Sequence, residues 1–298
     1  MVDHHIVLDN GSVDHSSTVL RKLHDEGFPL SVYRNESATF LEQYLNTALL
    51  QIARAGHDAD WVLYLDCDEF LDMRKSRRTL KHTLSALQPD IQCLRFNMIN
   101  YESTYRDDRD DRVVPRRIRY RAPEPSGYFK VCIRADQARN TIVDHGNHEA
   151  FAFGTSMTSV DANKIFLAHF NKRSPWQEIA KSVIGRLKVL AAGGPTLARN
   201  TAVHYTPIFE MLRHDPARLL FDAEFMNESA VDRGELIEDP IRYAGAELRY
   251  TNPTDYRLKA AQSIVAYAEF LARRYAALSE KVNDADLARR ELELARII

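Results

Sequence analysis

A short apolar run that ends in three acids constrains the fold of this chain more than any other feature. Residues 61–65 read Trp-Val-Leu-Tyr-Leu, and Asp66, Asp68 and Glu69 follow within the next four positions. An apolar run of this length without polar alternation predicts a strand that is buried on both faces, as in a parallel sheet. Carboxylates at the carboxyl end of such a strand stand where open α/β sheets bind ligands.

The three acids need a positive partner, because like charges this close repel one another. The simplest partner is a divalent metal that carries phosphate oxygens, since hard cations take oxygen ligands. Asp66 and Asp68 are two residues apart, so on an extended strand both carboxylates face the same side. The plain alternative is a strand-end turn with solvated acids.

The bulk composition excludes several classes of protein. The chain has 298 residues, with 40 Lys and Arg against 42 Asp and Glu, and a net charge of −2 argues against a broad nucleic-acid-binding face. The three cysteines show no disulfide pattern, which predicts a reducing cytoplasmic environment. No run approaches the roughly 20 apolar residues that span a bilayer, and the amino terminus lacks the pattern of a secretory signal.

The first seventy residues alternate between strand and helix patterns. Strands are predicted at 5–8, 30–33 and 61–65, and helices at 16–26 and 40–55. This alternation predicts a parallel sheet with crossover helices.

The pattern changes in the rest of the chain. Further strands are predicted at 91–96, 128–134 and 164–170, helices at 80–87 and 176–192, and a long polar loop at 97–126. Amphipathic helices follow at 256–278 and, more weakly, at 283–298. We therefore expect an α/β domain over residues 1–200 and a helical carboxyl-terminal region over 201–298.

Three blocks resemble, in order, the GT-A-fold glycosyltransferases, and in particular a bacterial family-2-like group with a DxDEF motif. The blocks are residues 6–14 (IVLDNGSVD), residues 46–71 ending in DWVLYLDCDEFL, and residues 169–174 (HFNKRS), with Glu178 and Lys181 in the helix that follows. The resemblance covers about residues 1–190. It implies a Rossmann-like, mostly parallel sheet with flanking helices.

One departure from the family concerns the first strand. The family has a strand, a turn and a helix before the block at Ile6, and only five residues precede Ile6 here. In GT-A sheets that strand lies between the second strand and the strand of the DxD motif. We therefore expect a sheet that lacks a central strand and has two unpaired edges.

The resemblance implies roles for the acids and their neighbours. Asp68 would bind Mn²⁺ or Mg²⁺ directly, Asp66 would contact ribose or a metal-bound water, and Glu69 would contact a sugar hydroxyl or support the turn. Lys172 and Arg173 would stabilise the departing diphosphate.

A nucleotide-binding role is implied for residues near the first two strands. Asp9, in the turn with Asn10, would contact a uracil-type base. Arg34 would reach a phosphate, and Asn46 would lie near the nucleotide. For Asp9 an Asx turn that leads to a helix N-cap is the alternative, and both readings can hold at once.

The segment 144–149 adds histidines and acids to the candidates. Histidine is a common metal ligand. We favour His148 as a further ligand, with His169 as its competitor. If the reaction inverts, a carboxylate must deprotonate the acceptor hydroxyl, and Glu149 is the candidate. A polar surface turn is the alternative reading of this segment.

Together these residues predict a metal-assisted glycosyltransferase. It would move a sugar from a nucleoside-diphosphate sugar, with UDP-sugars favoured, to a hydroxyl of a glycan or lipid-linked glycan. A lipid-linked acceptor would bring a cytoplasmic protein into peripheral contact with the inner membrane face. One alternative is a haloacid-dehalogenase-like phosphatase, although Phe70 stands where that site has Thr or Val. Another is a non-catalytic relative that binds a sugar nucleotide or glycan.

Overall fold

The computed structural model describes residues 2–39, 41–137, 139–193, 202–221, 231–243, 245, 247–250 and 255–279. It is a mixed α/β structure with helices around two sheets and a small hairpin sheet. The predicted helix at 283–298 lies outside the described residues.

The amino-terminal part follows the predicted alternation. Its elements are β1 (His5–Asp9), α1 (Ser16–Asp25), β2 (Leu30–Arg34), α2 (Glu42–His57) and β3 (Trp61–Leu63). β1 and β2 pair in parallel, with Asp9 opposite Arg34 at their carboxyl ends. The first βαβ unit is therefore confirmed.

The remaining elements are shorter and more numerous than the sequence patterns suggest. The strands are β4 (Glu69–Asp72), β5 (Cys93–Glu102), β6 (Tyr120–Arg121), β7 (Phe129–Arg134), β8 (Thr141–Val143), β9 (Ala150–Ala152), β10 (Thr155–Ser156), β11 (Ser159–Asp161), β12 (Phe166–Lys172) and β13 (Ile237–Glu238). The helices are α3 (Leu80–Ser85), α4 (Val114–Arg117), α5 (Pro175–Ala192), α6 (Thr206–His214), α7 (Arg218–Phe221) and α8 (Tyr256–Ser279).

The long strand β5 organises the main sheet. Its first half pairs with β7 and β11, and its second half with β6 and β12. β3 joins the sheet next to β7, β4 next to β12, and β13 next to β6. β8, β9 and β10 form the separate hairpin sheet.

The prediction of a mostly parallel sheet is wrong for the described strands. Only the pairs β1–β2, β5–β11 and β5–β12 are parallel, and the other described pairs are antiparallel. Parallel pairing needs a crossover connection of a dozen or more residues, usually a helix. The amphipathic helices between strands occur mainly in the first sixty residues, where the parallel unit lies.

The apolar run after residue 60 is covered on both faces, although β3 pairs antiparallel with β7. Trp61 and Leu63 pack on one hydrophobic cluster, whereas Val62 and Tyr64 pack on another. Successive side chains of a strand point to opposite faces, so two cores demand apolar residues at every position. The uninterrupted run thus reflects two cores rather than parallel neighbours.

Among the described strands, the β1–β2 pair is not hydrogen-bonded to the main sheet. In the same set β3 pairs only with β7. The hydrogen bonding between described strands is therefore interrupted between β1 and β3, which is where we expected a strand to be missing.

The predicted loop at 97–126 is wrong in part. β5 continues to Glu102, and α4 and β6 lie within the same segment. Phe96, Met98 and Tyr101 are buried along β5. The polar residues between them, such as Asn100, obscured the strand in the sequence.

The carboxyl-terminal region packs on the α/β part. Ile179 and Val183 of α5 form a hydrophobic cluster with Leu219 of α7, and Ile264 of α8 packs against it. β13 extends the main sheet through β6. Within the described residues, no helix combines the length and the apolar character required to cross a membrane.

Candidate functional site

The acidic turn follows β3 and is closed by its own hydrogen bonds. The backbone N–H of Asp66 donates to Oε2 of Glu69 at 2.9 Å, and the N–H of Glu69 donates to the carbonyl of Asp66 at 3.1 Å. The carbonyl of Asp68 accepts from the N–H of Phe170 on β12 at 2.8 Å. These bonds hold the three acids between the end of β3 and the start of β4, beside β12.

Two basic side chains compensate the charge of this turn. Nζ of Lys130 lies 2.7 Å from Oδ2 of Asp66 and 3.1 Å from Oε1 of Glu69, and the side chains of Lys130 and Glu69 are each only 1% exposed. Nη1 of Arg173 lies 3.3 Å from Oδ2 of Asp68. The protein thus supplies two cations to the acids itself, and the expected metal stays a prediction.

Lys130 was missed by the sequence analysis, although the sequence contains a signal for it. It is the second residue of the otherwise apolar start of β7, and a lysine is almost never fully buried unless it is paired. Burial by itself would lower the pKa of Lys130. The attraction of the Asp66 and Glu69 carboxylates is larger, so the pKa of Lys130 is raised.

Three potential metal ligands converge beside these ion pairs. One ligand atom from each of Asp68, Glu69 and His169 lies within 4.8 Å of the others. His169 of β12 is directly opposite Glu69 of β4 in the antiparallel register, so the sheet itself brings the two together. Asp66 and His148 are not members of this group.

His169 has the tautomer and the protonation state that metal binding requires. Its Nδ1 lies 3.0 Å from Oδ1 of Asn100; when Nδ1 donates this hydrogen bond, Nε2 keeps its lone pair. Burial lowers the pKa of His169 to about 4, so the ring is neutral at pH 7. A neutral imidazole and two carboxylates fit a divalent cation such as Mn²⁺.

Glu69 lies in an environment that does not fully compensate its charge. Burial, followed by the charge of Asp66, raises the pKa of Glu69 to about 7. Its Oε1 is buried and pairs with Nζ of Lys130 at 3.1 Å. A divalent cation beside this pair would compensate the charge of Glu69 further.

His148 and Glu149 of the segment 144–149 are not members of the group of ligands. Nδ1 of His148 is 2.7 Å from the carbonyl oxygen of Phe129, and its ring lies against that of Tyr128. Glu149 is exposed and precedes β9. The structure thus brings His169 to the acids but neither His148 nor Glu149.

The predicted base-contacting residue Asp9 is buried and engaged within the fold. Its carboxylate pairs with Arg34 and accepts a hydrogen bond from the N–H of Ser12 at 2.8 Å. Arg34 pairs with Glu36 as well. The turn alternative for Asp9 holds in part: the carboxylate closes a local turn, but α1 begins after His15 without a side-chain cap. Asn10 and Arg34 line a cavity.

Asn46 and Lys172 make contacts inside the protein. Nδ2 of Asn46 donates to the carbonyl of Asp144 at 3.4 Å, and the Asn46 carbonyl accepts from the hydroxyl of Tyr64 at 2.7 Å. These bonds fasten α2 to β3 and to the segment before β9. Nζ of Lys172 lies 3.7 Å from the carboxylate of Glu102.

Two further residues near the acidic turn were not found from the sequence. Burial and the charge of Asp66 raise the pKa of Glu42 on α2, and His145 lies 3.7 Å from its carboxylate. Burial, together with the charges of the acids around it, raises the pKa of Tyr205 to about 12. No motif marks either residue, because each reaches the turn through tertiary packing.

Comparisons of this chain with protein-family models, with curated proteins and with solved structures find no match in any of the three.

Proposed function

We propose that this chain is a glycosyltransferase that moves a sugar from a nucleoside-diphosphate sugar, in the first instance a UDP-sugar, to a hydroxyl of a glycan or lipid-linked glycan. The observation that carries the proposal is the convergence of Asp68, Glu69 and His169 beside the cations of Lys130 and Arg173. Metal ligands next to fixed positive charges suit a diphosphate leaving group, whose charge grows as the glycosidic bond breaks.

The roles of the residues follow from their contacts. Asp68, Glu69 and His169 would hold Mn²⁺ or Mg²⁺, which when bound neutralises charge on the departing diphosphate. Arg173 pairs with the Asp68 carboxylate and would place its positive charge beside the bound diphosphate. Lys130 keeps Asp66 and Glu69 in position by pairing with both.

If the reaction inverts, Glu42 is a better candidate for the acceptor's base than Glu149. Burial and the charge of Asp66 raise the pKa of Glu42, and a raised pKa makes a carboxylate a stronger base. Glu149 is exposed and has no described contact with the acidic turn.

The metal group is tested by calorimetric titration of Mn²⁺, and of UDP with and without Mn²⁺. We expect His169→Ala to weaken both Mn²⁺ binding and Mn²⁺-dependent UDP binding at least about tenfold. His148→Ala is the matched control and should bind like the wild type. Equal behaviour of the two variants would remove His169 from the site.

The reaction is tested with UDP-sugars by measuring release of UDP with water or a glycan as acceptor. We expect Asp68→Asn, checked to be folded, to abolish this release. Phosphate release from an aryl phosphate that is lost in Asp66→Asn would support the phosphatase instead. UDP binding without turnover of any UDP-sugar would support the non-catalytic relative.

A further inference from the structure

A groove of about 510 Å³ lies between helix α3, with the turn before it, and the segment that joins β11 to β12. Its floor is apolar and belongs to the hydrophobic cluster that α3 shares with the main sheet; the floor residues are Leu87, Leu94, Val160, Ala162 and Ile165. None of the described lining residues is part of the acidic turn. Ligand pockets in proteins typically measure about 300–1,000 Å³, so the groove is large enough to hold an apolar chain.

The rim of the groove is basic because the sequence before and within α3 is basic. Residues 74–82 read Arg-Lys-Ser-Arg-Arg-Thr-Leu-Lys-His, with five Lys and Arg and no acid. The whole chain has a net charge of −2, so this concentration of positive charge is local. Arg77 and Arg78 line the groove from this segment, and Lys164 lines it from the segment before β12. An anionic group at the groove would therefore meet basic side chains from two parts of the chain.

The basic side chains at the rim are not used inside the protein. Within the part of the chain that the structure describes, the side chains of Arg77, Arg78 and Lys164 are exposed and take part in no hydrogen bond or ion pair. The acid among the described lining residues is Asp161, and it is paired with Arg95 at 2.7 Å. Three positive charges at the rim thus lack an acidic partner, and a ligand with negative charge would compensate them.

The polar side chains of the groove are largely occupied by local hydrogen bonds. The hydroxyl of Ser76 donates to the carbonyl of Arg78 at 2.9 Å, and the hydroxyl of Thr83 donates to the carbonyl of Thr79 at 3.1 Å. Ser76 and Thr83 are two of the three uncharged polar residues that line the groove. A peptide that entered the groove would need partners for its backbone N–H and C=O groups, whereas a fatty acyl chain has no such groups. The walls therefore suit an acyl chain better than a peptide.

We propose that this groove is a membrane-binding site that takes up an anionic lipid, with an acyl chain on the apolar floor and the headgroup beside Arg77, Arg78 and Lys164. Anionic membrane surfaces attract clusters of basic side chains, and burial of an acyl chain adds to this attraction. The inference does not depend on the proposed transferase function. It would bring a lipid-linked acceptor near His169, which follows the first residue of β12 by three residues, or about 10 Å.

The test is co-sedimentation of the full chain with vesicles of phosphatidylcholine alone and of an equimolar mixture with phosphatidylglycerol. We expect binding to the mixed vesicles only, and weaker binding as the salt concentration rises. Arg77→Gln/Arg78→Gln should bind about thirtyfold more weakly, since each basic side chain near an anionic surface contributes about fivefold. Arg109→Gln/Arg139→Gln removes the same charge at exposed positions that do not line the groove, and should bind like the wild type.

Ala86→Phe tests the groove separately from its charge. Ala86 is exposed at the end of α3 and lines the groove, so a phenyl ring there occupies space that the acyl chain would need. We expect about tenfold weaker binding to the mixed vesicles, as for the loss of about two buried methylenes. Ser85→Phe places the same ring on a neighbouring residue that does not line the groove, and should bind like the wild type. Thermal unfolding checks that every variant is folded.

Equal binding to both kinds of vesicle, binding to neither, or unchanged binding of Arg77→Gln/Arg78→Gln would overturn the inference. Unchanged binding of Ala86→Phe would also overturn it, because the membrane contact would then involve charge without an enclosed chain. Binding of a synthetic peptide of alternating Glu and Leu, without binding to vesicles, would replace the lipid by an acidic protein segment.

The transferase proposal is judged by a different measurement. UDP release from UDP-sugars with water or a soluble glycan as acceptor should be the same in Arg77→Gln/Arg78→Gln as in the wild type. Vesicle binding without any turnover of UDP-sugars would support the lipid groove and count against the transferase. Turnover without vesicle binding would support the transferase and overturn the groove.

Discussion

The ammonium nitrogen of Lys130 lies 2.7 Å from the Asp66 carboxylate, at the inner side of the acidic turn. The same nitrogen is 3.1 Å from the buried Glu69 carboxylate. One buried cation therefore holds two of the three acids, and the third is paired with Arg173. Each of the three acids therefore has a basic partner within the protein.

We expect Lys130→Met to lower the free energy of unfolding by about 3–5 kcal/mol, because it leaves Glu69 buried without its partner. Lys172→Met is the matched control: Lys172 is half-exposed and lies 3.7 Å from Glu102, so the loss should stay below about 1 kcal/mol. Urea denaturation measures both. Similar losses in the two variants would contradict the buried pairing.

The stability of the protein should depend on pH through Glu69. The pKa of Glu69 is raised from 4.5 to about 7 by burial and by Asp66, so the folded state holds its proton more tightly than the unfolded state. The stabilisation is complete below about pH 4.5 and is lost as the pH rises through about 7.

Glu69→Gln removes this contribution. Thermal unfolding of both proteins between pH 4.5 and 8 should give a difference in Tm that changes in favour of the variant as the pH rises. The contribution of His169 has the opposite sign and occurs in both proteins, so the comparison largely removes it. A difference in Tm that is independent of pH would show that Glu69 titrates normally.

Gly185 allows Tyr205 to pack directly on helix α5. A Cβ at position 185 would lie 2.5 Å from the Tyr205 ring, so Gly185→Ala must displace the ring and should cost about 1–3 kcal/mol. Gly56 in α2 is the control, since a Cβ there meets nothing within 4 Å. Gly56→Ala should instead stabilise the protein by about 0.5–1 kcal/mol through helix propensity. Urea denaturation of the two variants checks the opposite signs.

We expect Asn100 to affect the affinity for Mn²⁺ although it does not bind the metal itself. Its Oδ1 lies 3.0 Å from Nδ1 of His169 and fixes which ring nitrogen faces the acids. We expect Asn100→Ala to weaken Mn²⁺ binding about tenfold, because partners of this kind orient the ligand. Asn97→Ala, on the same strand, is the control for effects on β5. Calorimetry of Mn²⁺ binding distinguishes them, and equal affinities would exclude the orienting role.

The early part of the fold was predictable because its signals are local. The alternation of strand and helix in residues 5–63 follows from hydrophobic periodicity and from Gly27, which has a positive φ just after the end of α1. The partner of β3 was not predictable in this way. β7 lies about seventy residues further along the chain, and no local pattern specifies a pairing at that distance.

The candidate site shows the same difference between features with local signals and features that depend on strand pairing. The sequence located Asp66, Asp68 and Glu69 as a group, since a carboxylate cluster after an apolar strand is visible without any structure. It did not decide between His148 and His169. The register of β4 against β12 brings His169 opposite Glu69, whereas His148 turns to the Phe129 carbonyl.

The sequence by itself determined the βαβ beginning, the acidic turn and the helical character of the carboxyl-terminal region. Only the tertiary structure decided that Lys130 pairs with the turn, that His169 joins it, and that α8 lines one cavity with Asn10 and Arg34. The physical reason is that periodicity and turn chemistry act over a few residues. Strand register and the burial of a charge depend on packing between segments that are distant in the chain.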